Sequence, residues 1–374
     1  MLTIAISIFF FTVNLSGSFL PVYYQETGMG LQGIVQLFFF TFVVIGLLPL
    51  FLLRVVKNFE RILSAGFFLT MVFFIILIYT RNPILLGFIY GMSMATFWPS
   101  FNLLQFRLSE SHTRARIVSL FTLIIPSLAS IVGPALGGSI IAIFGFTTLF
   151  AVSIILYLIA FLCSTRIKFE KETHKFSLPK GKLFLIFFST FVLLGLVDAW
   201  WFAYPLFTLY VSETVFNMGL VLAASAVLIC VVTFLVNWLS DVVRKRVGFA
   251  VLGAGLYALW FFLIAKASTT YEIVILSLVA GLAAAFNVSW TVHYCDSFRK
   301  EDYASILVMM EVGLMIGRVF NLAPTYIFLS EVNYSSYFAL LGIIAAVLAV
   351  VCISAKMIKS RQEPSKTEQT KTLS

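Results

Sequence analysis

The stretch RIKFEKETHKFSLPKGK, residues 166–182, carries six basic residues and divides an otherwise apolar chain in two. Before it lie six apolar runs, 3–25, 31–53, 62–80, 84–106, 117–142 and 147–165. After it lie six more, 183–210, 218–238, 248–266, 272–295, 304–329 and 335–357. A helix needs about 20 apolar residues to cross a bilayer. Backbone groups in hydrocarbon find no water, so each run is expected to be a helix. The chain is 61% hydrophobic and 11% charged, whereas a soluble domain carries about 25% charged residues. The fold class is therefore an all-α membrane protein with twelve transmembrane helices. Its 374 residues leave only short loops, with no room for an extramembrane domain.

The basic residues orient the runs. Counting gaps from the N-terminus, the even-numbered ones hold Arg54, Lys57 and Arg61; Arg107, Arg114 and Arg116; Arg166, Lys168, Lys171, Lys175, Lys180 and Lys182; Arg244, Lys245 and Arg246; Arg299 and Lys300. The C-terminal tail adds Lys356, Lys359, Arg361, Lys366 and Lys371, for 22 of the 25 Lys and Arg. The odd-numbered gaps hold only Arg81 and Lys266. Lys and Arg stay on the cytoplasmic side, so the expectation is a multi-pass protein of the cell membrane with both termini cytoplasmic. The first run begins at Met1 without a basic n-region or a small-residue cleavage site, and reads as span one. Cysteine introduced beside Arg81 or Lys266 should react with an impermeant thiol reagent added outside, and cysteine beside Ser177 should not. Outside labelling at Ser177 in an intact membrane would overturn the orientation.

The net charge of +9 is spread over inner loops, which points to anionic lipid as the partner and not to nucleic acid. Cys163, Cys230, Cys295 and Cys352 are scattered, without metal-site spacing or a disulfide framework. No cofactor or metal is expected.

The halves repeat at an offset near 187 residues. Tyr23, Glu26, Leu52 and Gly66 match Tyr210, Glu213, Leu239 and Gly253, and Gly91 matches Gly281 at a slightly larger offset. Six is even, so both halves start inside, and the repeat is parallel about an axis along the membrane normal. The expected organisation is two pseudo-symmetric six-helix bundles, 1–165 and 183–357, joined by a cytoplasmic linker, 166–182, and followed by a disordered cytoplasmic tail, 358–374, in a monomer.

On these features the chain resembles the major facilitator superfamily over nearly its whole length. Leu239-Ser240-Asp241-Val242-Val243-Arg244-Lys245-Arg246 is similar to the family's loop between the second and third spans, an acid followed by basic residues. The resemblance implies that Asp241, with Lys245 and Arg246, helps hold a cytoplasmic gate shut. In the first half Arg54 stands where the family has Asp, which puts that gating contact in doubt. Gly133-Pro134-Ala135-Leu136-Gly137-Gly138 in span five resembles a signature of the family's drug and metabolite exporters.

Other residues are singled out by position. Gly133 and Gly137 form a small-xxx-small pair, as do Gly87 and Gly91 in span four and Gly313 and Gly317 in span eleven. Such pairs serve close helix packing, and Pro134 beside one could also make a hinge. Glu311, Arg318, Asn321 and Thr325 fall within an arc of roughly 80° of span eleven. An uncompensated charge in hydrocarbon costs about 2.5–3.5 kcal/mol even on the lenient scale, so this stripe should face protein or water. Glu311 and Arg318 stand about 10 Å apart along the axis, so each is expected to find its partner on another helix. Asp198 in span seven shares a face with Trp201 and Pro205, and reads either as a hydrogen-bonded structural acid or as a proton carrier. Arg318 could pair with Asp198, with Glu311 or with an anionic group on the substrate.

Polar and aromatic stripes could line a cavity: Ser7, Asn14 and Ser18 in span one, Trp98, Asn102 and Gln105 in span four, and Asn287, Trp290 and Tyr294 in span ten. The amides need partners in hydrocarbon and should face inward. No phosphate loop, His pair or Gly-x-Ser-x-Gly elbow appears, so no enzyme is expected and no catalytic residue is assigned. The expected function is secondary transport of a small organic solute by alternating access, in the form of proton-coupled efflux by an antiporter. Uptake of a small anion, with Arg318 as counter-ion, is the alternative, and a non-transporting sensor or scaffold is a further one. Proton-coupling candidates are Asp198, Glu311 and Arg318. Trp201 and Asn321 join the cavity candidates.

Overall fold

The computed structural model of the chain describes residues 1–56, 61–108, 124–167, 180–199, 201–243 and 246–362. All described regular structure is helical, and each of the twelve apolar runs carries helix. Spans two, three and four are single helices, Gly30–Val55, Ile62–Tyr79 and Pro83–Leu108. Spans eight to twelve are Val215–Val243, Arg246–Ile264, Thr270–Asp296, Tyr303–Ser330 and Tyr334–Gln362. The last helix continues through 358–362, residues assigned from the sequence to a disordered tail. Most of the linker and the rest of the tail lie outside the described residues, as does Lys245.

Spans five and six form one helical stretch, Ile125–Ser164. At 1.5 Å per residue, its 40 residues are twice too long for one crossing. Gly145, at φ 80° and ψ 172°, supplies the reversal, in a backbone region that an L side chain avoids. Gly145 lies in the gap 143–146 expected between spans five and six, and helical dihedrals persist through Pro134.

Span one is tightened by a single 3₁₀ turn and span seven is broken outright, although hydropathy makes both continuous. Span one is Leu2–Ser16, a 3₁₀ turn Gly17–Phe19, then Leu20–Glu26. Span seven is Lys182–Leu196, an irregular segment, then Ala203–Ser212. In both, a proline stands in the first turn of the second piece, Pro21 and Pro205. Proline lacks the N–H that would bond back to the preceding turn, and it fits where that donor has no partner anyway.

Helix pairing repeats from one half to the other. Span one packs on five as seven packs on eleven, two on four as eight on ten, three on four as nine on ten, and three on the five–six stretch as nine on twelve. Matched glycines sit at matched contacts. A methyl on Gly66 would lie 3.0 Å from Phe97 Cβ, and one on Gly253 would lie 2.7 Å from Phe286 Cβ. Gly91 abuts Thr41 and Val44 of span two, and Gly281 abuts Ile229 and Val232 of span eight. The halves meet along two seams, span two on eleven and span five on eight. At the first, Gly46 lies under Met315; at the second, Gly138 and Gly219 bring their backbones together.

Candidate functional site

The interruptions of spans one and seven lie near one another in the repeat: at the offset of 187 residues, Gly17–Phe19 falls on 204–206, just past the irregular segment 197–202 of span seven. Interrupted helices at matching positions of two halves mark the midplane site in transporters built from repeats. A cavity of about 380 Å³ lies there. Span one contributes Asn14 and Ser18, and span five Ser130 and Pro134. The other half contributes Tyr204 and Pro205 of span seven, Leu222, Ser225, Ala226 and Ile229 of span eight, Tyr257 of span nine, and Ala280, Ala283, Ala284 and Phe286 of span ten. The cavity thus lies between the halves. Asn14 donates through Nδ2 to the Phe10 carbonyl at 2.8 Å. Tyr204 and Tyr257 both pack on the buried Trp260, with ring centroids 5.7 and 5.8 Å away.

Asp198 sits in the irregular segment of span seven. Arg318 donates through Nε to Asp198 Oδ2 at 2.8 Å, and Trp201 donates through Nε1 to the same oxygen at 2.9 Å. The guanidinium also lies 5.1 Å from the Trp201 ring centroid and 5.7 Å from that of Phe42. Trp201 in turn meets Phe42 at 5.4 Å, Phe38 at 6.2 Å and Tyr90 at 6.1 Å, all edge-on. The ion pair of the C-terminal half therefore holds an indole that packs into an aromatic patch of the N-terminal half. The two charged side chains are only 13% and 16% exposed. Of the partners left open for Arg318, the structure shows Asp198. Glu311 is buried and makes no hydrogen bond or ion pair to another described residue.

The close seat of span seven on span eleven brings the pair together. A methyl on Gly317 would collide with the Val192 carbonyl oxygen and lie 2.7 Å from Gly195 Cα. Span five seats on span one in the same way: a methyl on Gly137 would collide with the Leu15 carbonyl oxygen, and one on Gly133 would lie 2.8 Å from Asn14 Cβ. The small-xxx-small pairs, Gly87 and Gly91 against span two included, thus sit at close helix contacts.

Several cavity candidates lie elsewhere. Trp290 is buried and donates to Thr190 Oγ1 at 2.8 Å. Tyr294 is buried and donates to the Ile306 carbonyl at 2.8 Å. Asn321 and Thr325 both bond to the Tyr337 hydroxyl at 3.2 Å. These groups satisfy one another inside the C-terminal half, so they face bundle interior and not the cavity. Trp98 packs among Phe10, Phe97 and Phe101. Asn102 is half-buried, and Gln105 is buried with its amide nitrogen unpaired. None of these is on the cavity wall given by the structure. The side chains of Asn287, Asp241 and Arg246 lie outside the described residues. Sequence reasoning missed Ser130, Tyr204, Ser225 and Tyr257. One available signal was the run of small residues from Ala280 to Ala285, with only Leu282 interrupting, which leaves unfilled space beside span ten.

Residues 183–373 match the family model described as Major Facilitator Superfamily. Among 265 matching chains of solved structure is a crystal structure of a mutant of the nucleoside transporter NupG. It superposes with a TM-score of 0.68 and 15% identity, covering 95% of this chain and 100% of that one. At that identity the likeness is one of fold. No curated protein matches the chain significantly.

Proposed function

The chain belongs to the major facilitator superfamily and is an integral membrane protein with that fold, and on this premise we propose that it moves a small organic solute across the cell membrane by alternating access, coupled to protons and in the direction of export. The observation that carries the reading is the cavity between the halves at the paired breaks of spans one and seven. Export is supported by the span-five motif, whose Pro134 and Gly138 lie on Gly219 across the seam between halves. A seam of small residues lets two backbones approach and slide.

The anion-uptake alternative loses its support. It needs Arg318 free to meet a substrate, and Arg318 is engaged by Asp198 and is not on the cavity wall. The sensor reading has no observation in its favour. NupG is described as a nucleoside transporter, so a nucleoside is a reasonable first solute to test.

For coupling, the geometry favours Glu311 over Asp198. One oxygen of Asp198 already accepts two hydrogen bonds, whereas Glu311 is buried without one to another described residue. Glu311→Gln should abolish solute accumulation driven by a pH gradient while sparing downhill exchange, because the amide keeps size and polarity and loses the titration. Asp198→Asn should disturb the Arg318 and Trp201 contacts and lower both activities. The measurement is solute flux in proteoliposomes with and without a pH gradient, in both vesicle orientations. Full gradient coupling in Glu311→Gln would exclude that carrier, and inward accumulation under an export gradient would reverse the direction.

A further inference from the structure

Resting on the transport reading, we infer that the cavity at the two helix breaks takes an uncharged solute with a planar ring and hydroxyl or amide groups. The wall decides the charge. Among its described residues there is no Asp, Glu, Lys, Arg or His. An ion entering it would shed hydration with no counter-charge to meet, at a cost of several kcal/mol. The Asp198–Arg318 pair offers no relief, because the two charges already face each other at 2.8 Å and neither side chain is on the wall.

The polar groups that do line the cavity are neutral and two-sided. Asn14 keeps its amide oxygen and one N–H after donating to Phe10. Ser130 donates to the Ser127 carbonyl at 2.8 Å, which leaves its oxygen to accept. Ser18 and Ser225 add further hydroxyls. This set suits a solute that both donates and accepts.

A braced aromatic wall provides the ring preference. Tyr257 lies parallel to Trp260, with an interplanar angle of 2°, and packs on Phe261 at 4.7 Å. Tyr204 packs on the same indole. Rings fixed in this way present a face on which a planar solute stacks. Ala280, Ala283 and Ala284 add no bulk. The volume of about 380 Å³ lies at the small end of ligand sites, enough for one ring with a sugar-sized substituent.

The test is thermal unfolding of the purified protein with four probes. They are uridine, its 5′-monophosphate, tetraphenylphosphonium and sorbitol. Uridine should raise Tm, and each of the others should need at least about tenfold more for the same shift, a difference of about 1.4 kcal/mol. Tyr257→Leu should lose the uridine effect and Tyr257→Phe should keep it, which separates stacking from a general loss of fold. Protection by either charged probe or by sorbitol equal to that by uridine overturns the inference, and so does absence of protection by uridine. Flux separates the two readings. Uridine binding with no flux in proteoliposomes sinks the transport reading alone, and flux of a charged solute without uridine binding sinks this one alone.

Discussion

Arg318→Met should destabilise the solute-free protein by about 3–5 kcal/mol, the usual cost of removing one partner of a buried ion pair. A guanidinium is a permanent cation, and the substitution removes its 2.8 Å hydrogen bond to Asp198. What remains is a largely buried acid that, among the described residues, is held by Trp201. Adding Asp198→Asn should restore much of the stability, since the second change removes the stranded charge. Melting temperatures of the wild type, both single variants and the double variant measure the coupling. If Arg318→Met melts like the wild type and no longer binds anionic solutes, the arginine serves the substrate and the anion-uptake reading returns.

Gly317→Ala should cost about 1–3 kcal/mol, as overpacking a tight core usually does. Its methyl would collide with the Val192 carbonyl oxygen and crowd Leu196 N at 2.6 Å, so spans seven and eleven must separate. Arg318 is the next residue, and the separation would pull it from Asp198. Flux should therefore fall together with stability. Gly255→Ala is the control, because its methyl would have nothing within 4 Å. Alanine is also the better helix former, so the control should be neutral or slightly stabilising. Equal melting temperatures for the two variants would show that the crossing has slack the structure does not suggest.

The bilayer explains why so much of the fold was readable. It forces long apolar runs, so the basic loop around Lys175 and the runs on either side mark spans and order directly. The repeat was readable because its glycines, such as Gly66 and Gly253, have the same job in each half. The breaks were not, because the run 183–210 is apolar throughout and hydropathy averages over an unwound turn. Pro21 and Pro205 were the available clues. The charges of the site were visible, but Asp198 and Arg318 are 120 residues apart, and spacing along one helix cannot choose a partner on another. Trp290, Tyr294 and Asn321, which are not on the cavity wall, illustrate a related point. Helical periodicity puts residues on a common face, but the face can meet a cavity or the interior of its own bundle.

The central claim is that one site, at the breaks in spans one and seven, is reached in turn from each side of the membrane. Ser18→Cys, in a background lacking Cys163, Cys230, Cys295 and Cys352, tests it most directly. The account predicts that an impermeant thiol reagent labels this cysteine from either side, in right-side-out and in inside-out vesicles, and that transported solute slows both reactions. Labelling from one side only, with or without solute, would contradict it.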